Sequence, residues 1–261
     1  MKFIAATFLV VVSANSLSQT EEISQLTIMA DAGSKSSIYN LGVKYGNGDG
    51  VRVNLETALK HYIRAAEMNY APAQNNLGWA YRQGLGTQIN YKKALYWFKI
   101  SAIQNNALAL QNLAEMFQNG EGVKKNIKTA EVLYKLCATT DAVVLETGFS
   151  NAIHECRREL GKLILLRAAD KEDDLKYAAL WLMSSLFELK DVKDDSEIGV
   201  RARRSANETK ELFLKTTSQL NQDSKDWLIR MNSDFSKVRW AINDTTRFPF
   251  SEIDDEISSS R

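Results

Sequence analysis

Apolar residues in the first half of the chain follow two alternating patterns. In the first, Leu41 and Tyr45 stand four residues apart, with Gly42 beside the leucine. In the second, Ala58, Tyr62, Ala65 and Ala66 mark one face at a 3.6-residue period. Both patterns are helical, and a polar, glycine-rich stretch, Gly46-Asn47-Gly48-Asp49-Gly50, separates them. The pair then recurs. Leu41, Leu77 and Leu113 stand 36 residues apart (77 − 41 and 113 − 77). The same step relates Tyr45, Tyr81 and Phe117; Gly48, Gly84 and Gly120; Gly50, Gly86 and Gly122. It continues through Asn54, Asn90 and Asn126, through Ala58, Ala94 and Ala130, and through Tyr62, Phe98 and Tyr134. Ala66, Ala102 and Ala138 close the series. The pattern predicts a stack of helix pairs, A then B, with a Gly-x-Gly turn inside each pair. The small residues let the helices approach, and the aromatic fills the space between them.

A glycine-rich turn can also be a chemical site, since such loops cradle phosphate or hold calcium. Comparison of the three turns argues against both. The counterparts of "GNGDG" are "QGLG" at Gln83 to Gly86 and "NGEG" at Asn119 to Gly122, so only the glycines recur. A phosphate loop needs Lys and Ser/Thr at its end, and a calcium loop needs a distal Glu at fixed spacing. Neither is present, and the turns read as the means of ending helix A and reversing the chain.

The shared pattern, A-x-x-x-L-G-x-x-Y-x-x-G-x-G-V-x-x-N-x-x-x-A-x-x-W-x-x-x-A-A, resembles the Sel1-like repeat, a relative of the tetratricopeptide repeat. The second unit, "AQNNLGWAYRQGLGTQINYKKALYWFKISA", fits best, with Trp97 at the family's tryptophan position. His61 and Leu133 take that position in the other units, and Thr87 stands where the family has valine. The resemblance implies an all-α, right-handed α-solenoid with a C-terminal capping helical segment. Three clear units cover residues 37–141. Glu21 to Ser37 fits a lone helix B, with Ala30 matching Ala66. After an insertion of about eleven residues, Leu160-Gly161 offers a fourth helix A, and Asp174, Ala178 and Trp181 its helix B, without the Gly-x-Gly turn. The solenoid is therefore expected over residues 20–190, followed by a helical cap over 191–245. In that cap Ser218 or Asn221 is the candidate N-cap of a last helix through Trp227 and Met231. The polar, acidic tail 246–261 reads as disordered.

Composition supports this reading. Two prolines, Pro72 and Pro249, in 261 residues suit an all-helical chain, and a hydrophobic share of 44% is enough for a core. The formal charge of +1 gives no field to draw nucleic acid. The basic residues Arg201, Arg203 and Arg204 are followed by Glu208 and Glu211, as on a solvated helix face. Residues 1–16 have the layout of a secretory signal peptide: Lys2, an apolar run from Phe3 to Val12, then small residues, with a mature start near Asn15 or Leu17. The run is short for a membrane span, so no stable membrane insertion is expected after cleavage, and the product is periplasmic or secreted. In such a compartment Cys137 and Cys156 are expected to pair. Asn207 and Asn243 begin glycosylation sequons, relevant in a eukaryotic source.

Signs of catalysis are weak. His61 sits at the tryptophan position and reads as a packing residue, and His154 lies beside Glu155 and Cys156, where the disulfide outweighs a Cys–His nucleophile. No serine-hydrolase, zinc-protease or Walker motif is present. No catalytic residue, metal or cofactor is assigned. By analogy with tetratricopeptide repeats, the concave groove is lined by exposed positions of the A helices. These are Tyr39 and Val43; Asn75, Trp79, Arg82 and Gln83; Gln111, Glu115 and Gln118. Aromatics there can anchor a protein or peptide partner while amides bond its backbone. The expected function is an exported, non-enzymatic interaction adaptor. The alternatives are an envelope hydrolase or β-lactam-binding protein of the secreted Sel1-like type, or a secreted host-interacting effector.

Overall fold

A computed structural model describes residues 21–140, 152–168, 171–188 and 197–232, and among them the only regular structure is helix. The leader, the insertion after the third repeat and the tail 246–261 lie outside the described residues. The chain divides into two compact units, Met1–Gln104 and Asn105–Arg261.

The first unit begins with α1, residues 21–31. Two helix pairs follow: α2 (Lys35–Asn47) with α3 (Leu55–Glu67), and α4 (Ala71–Gln83) with α5 (Tyr91–Ile103). Within each pair the helices pack on one another, and α3 also packs on α4. The core is one apolar cluster that includes Ala30, Ile38, Leu41, Ala65, Ala66, Ala73 and Leu77. Ala30 belongs to it because α1 stands where a preceding helix B would stand. Arg64 of α3 donates to the Ala30 carbonyl at 2.8 Å, which ties the lone helix down.

The second unit continues with α6 (Ala107–Asn119) and α7 (Ile127–Thr139), then α8 (Ala152–Ala168), α9 (Glu172–Glu188), α10 (Glu197–Ser218) and α11 (Gln222–Asn232). Helices α8 and α9 pack as a pair, with Leu160 and Ala178 buried. Leu182 takes the position of the B-helix aromatic and meets Gly161, as Phe98 meets Gly78. Helices α10 and α11 both lie on α9. Of the two candidate caps for α11, Asn221 is the one used: its Oδ1 accepts from the Ser224 amide at 2.9 Å.

Two periodic features acquire a structural role. The recurring asparagines Asn54, Asn90 and Asn126 are the N-caps of α3, α5 and α7. Their side chains accept from the amides of Thr57, Lys93 and Thr129 at 2.9, 3.0 and 3.1 Å. Each capping residue also donates its own amide to the carbonyl of the A-helix aromatic, Tyr45, Tyr81 or Phe117. One residue per repeat thus starts helix B and clamps it to helix A. A second register is carried by Gly33, Asn69 and Asn105, all at positive φ, where helix B ends and the next helix A begins. Asn tolerates the left-handed conformation better than most residues, which explains its use in place of Gly.

Candidate functional site

The A-helix positions differ widely in exposure. Trp79 on α4 is 41% exposed, and Gln83 one turn on is also open. Asn75 and Arg82 of the same helix are buried, at 6% and 8%. The Arg82 guanidinium lies 5.6 Å from the Trp79 ring, so it braces the indole from below. Tyr39 and Val43 on α2 are half-buried. Tyr39 belongs to an aromatic group with Tyr70, edge-on at 5.4 Å, and Tyr62, at 6.0 Å. Its hydroxyl accepts from Asn76 Nδ2 at 3.4 Å. Burial first, then the neighbouring Tyr62 and Tyr70, push its pKa up to about 12, so the ring is a neutral packing element that joins α2 to α4. On α6 the three positions are half-buried. Gln111 donates to Glu115 at 3.1 Å, and Gln118 accepts from the Tyr134 hydroxyl at 2.7 Å. In the first unit the open part of this surface is therefore narrow and centred on Trp79, on a floor of satisfied polar groups.

The histidines occupy different settings. His61 stacks on Tyr45 at 5.6 Å with an interplanar angle of 8°, the packing role expected at the tryptophan position. Burial first, and then the Arg64 charge, depress its pKa. A depressed folded-state value means that the unfolded chain binds the proton more readily. The stability this adds is present above the ordinary histidine range and is lost as the pH falls through the folded value. His61→Phe keeps the stack and removes the titration. In parallel urea titrations between pH 7.5 and 5, the wild-type midpoint should fall more steeply than that of His61→Phe, and identical slopes would refute the assignment.

His154 lies at the junction of α8, α9 and α10. Its Nδ1 is 2.7 Å from Ser185 Oγ and 3.1 Å from the Ser185 carbonyl, and its Nε2 is 3.2 Å from Ser205 Oγ. Glu155 Oε1 is 3.6 Å from Nε2 and accepts from Ser205 Oγ at 2.9 Å. Arg158 donates to Glu155 and to Ser205. Burial alone would raise the Glu155 pKa. Hydrogen bonding with His154, the Arg158 charge and the Ser205 hydroxyl outweigh it and hold the carboxyl below its usual range. A serine 2.7 Å from a histidine that faces a carboxylate has the connectivity of a nucleophile, base and orienting acid. Here, however, Ser185 and His154 are 0% and 2% exposed, so the group is closed to substrate and holds three helices together. Sequence reasoning named His154 and Glu155 and missed Ser185, Ser205 and Arg158. The adjacent His-Glu pair was the only visible signal, because its partners lie in helices outside the three clear repeats.

Cys137 of α7 and Cys156 of α8 form a disulfide with a Cα–Cα distance of 6.0 Å, so neither is a free thiol. Among the described residues no group of three or more His, Cys, Asp or Glu is placed to hold a metal ion, and no helix is long and apolar enough to cross a membrane.

Residues 35–70, 71–106 and 107–138 match the Sel1 repeat family model. Among solved structures, a protective antigen present in uropathogenic Escherichia coli strains, displaying an SLR fold, is 23% identical with a TM-score of 0.54. That match covers 80% of this chain and 44% of the antigen, so the chain spans less than half of that protein. A Sel1 repeat protein from Oxalobacter formigenes is 21% identical with a TM-score of 0.47, over 74% of this chain and 84% of that one. No curated protein matches the chain.

Proposed function

We propose, from the premise that this chain carries three Sel1 repeats in an all-helical solenoid, that it is an exported, non-enzymatic adaptor that binds a protein or peptide partner. Solenoids of this repeat are typically protein-interaction scaffolds. The observation that carries the reading is the open indole of Trp79, braced by Arg82 on a helix whose neighbouring polar groups are already satisfied. A rigid aromatic on a pre-organised surface loses little freedom on binding and is the kind of residue that dominates interfaces. Tyr39 and Val43 on α2 and Gln83 on α4 belong to the same proposed surface, Arg82 lies against the indole, and Asn75 is buried in α4. Gln111, Glu115 and Gln118 offer a polar surface on α6. Export is supported by the residue pattern of 1–16 and by the disulfide. A pull-down from envelope extract tests the site. Trp79→Ala should lose the partner at least tenfold while it keeps its helical circular dichroism. Tyr96→Ala, which removes a more exposed aromatic from helix α5, should retain it. Retention by Trp79→Ala would move the interface elsewhere.

A further inference from the structure

The second unit contains a cavity that the repeats do not account for. It lies where α8, α9 and α10 meet, and its volume is about 550 Å³. That is in the roughly 300–1,000 Å³ range of small-ligand sites, and the site is an open groove, since Leu166 in its wall faces solvent. Leu165 and Leu166 of α8, Leu175 of α9 and Leu212 of α10 form its apolar wall. Leu166 is 84% exposed, more than any other large apolar side chain among the described residues. A leucine so placed gains most from an apolar group laid against it. The charged members of the lining are Lys162 and Lys215, and the lining holds no carboxylate. Lys162 is held by Glu159 Oε1 at 2.8 Å, and the ammonium of Lys215 makes no ion pair among the described residues. A leucine wall beside an ammonium that makes no ion pair among the described residues complements a molecule with an apolar chain and an anionic head.

We propose that this cavity binds a single-chain anionic amphiphile of the fatty-acid class, with the chain against Leu165, Leu166, Leu175 and Leu212 and the carboxylate at Lys215. The site lies in α8–α10 and is independent of the Trp79 surface, so either can fail without the other.

Calorimetric titration of the purified full chain with dodecanoate, dodecanol and dodecyltrimethylammonium, each below its micelle concentration, tests the assignment. Dodecanoate should bind at one site, dodecanol at least tenfold more weakly, and the cation without saturation. Leu166→Asp and Lys215→Glu change exposed side chains, so the fold should survive, and each should weaken dodecanoate at least tenfold. Leu214→Asp, in the wall of a separate cavity of about 460 Å³ that Met183, Phe213, Leu228 and Lys225 also line, should leave dodecanoate binding unchanged, and a loss there would place the amphiphile in that cavity and overturn the assignment. No binding, equal binding of all three amphiphiles, or indifference to Leu166→Asp would overturn the proposal. So would sedimentation showing a dimer that Leu166→Asp dissociates, since a second copy would then occupy the cavity.

Discussion

Replacing Gly86 with alanine should destabilise the first unit by about 3 kcal/mol or more, the largest loss expected among alanine substitutions of the described glycines. Gly86 has a φ of +68°, where an L side chain costs on the order of 1 kcal/mol. The space is closed as well. A Cβ there would press on the Leu55 carbonyl oxygen, 2.6 Å from the Leu55 carbonyl carbon and 2.9 Å from the Glu56 amide nitrogen. These are backbone atoms at the start of α3, so no rotamer change relieves the contact and the turn of one repeat must move off the preceding repeat. Two other glycines separate the causes. Gly33 has a φ of +89° with nothing within 4 Å of an added methyl, so Gly33→Ala should cost only about 1 kcal/mol. Gly78 lies in α4 against the Phe98 ring, 2.7 Å from a would-be Cβ. Gly78→Ala should cost about 1–3 kcal/mol by overpacking. Phe98→Leu should recover part of that loss, because the smaller leucine can turn away from the added methyl as the ring cannot. No side-chain change should rescue Gly86→Ala. Urea denaturation of the three alanine variants and of Gly78→Ala/Phe98→Leu measures this, and a Gly86→Ala loss no larger than that of Gly33→Ala would refute the account.

The same contrast explains how far the sequence could be read. Leu41, Gly42, Tyr62 and their counterparts are set by contacts inside one helix pair, so their spacing carries the fold directly. Leu160-Gly161 on α8 carries the same pairing, with Leu182 against Gly161, without a Gly-x-Gly turn to follow it. Asn54, Asn90 and Asn126 were visible as a period but not as caps, since a cap has meaning only once the helix start is known. The register of Gly33, Asn69 and Asn105 stayed hidden because the residue type changes while the backbone conformation does not. The candidate surface was less legible than the fold. A helical period tells which positions share a face, but not what covers that face. Asn75 and Arg82 read as groove polar groups and are buried, while Trp79 is open. The His154 network was hidden for a related reason. Its partners Ser185 and Ser205 lie 31 and 51 residues away, on helices outside the three clear repeats.

The disulfide carries the second large effect. Cys137 and Cys156 are 19 residues apart, and the loop they close includes the insertion after the third repeat. Closing a loop of this length removes unfolded-state entropy worth about 3 kcal/mol, so the Cys137→Ala/Cys156→Ala variant should lose about that much stability. Cavity terms should be small, because a buried cysteine is little larger than alanine. Two features place the bond at a point where chain entropy matters most. Cys137 occupies the repeat position of Ala65 and Ser101, deep in the helix pair. Residues 140–151 separate α7 from the next helix, α8, whereas three residues separate α3 from α4 and α5 from α6. Arg157 adds to the tie by donating to the Ala138 carbonyl at 3.2 Å, but a single hydrogen bond cannot replace a covalent one. Both sulfurs are fully buried, so reduction of the folded protein by dithiothreitol should be slow and should accelerate in sub-denaturing urea. Amide exchange in the double-alanine variant should show its largest loss of protection in α7 and α8. If the variant keeps the wild-type urea midpoint, with the wild-type protein shown by mass to be oxidised, the bond is not what holds α8 to the third repeat, and the packing of α8 on α7 suffices alone.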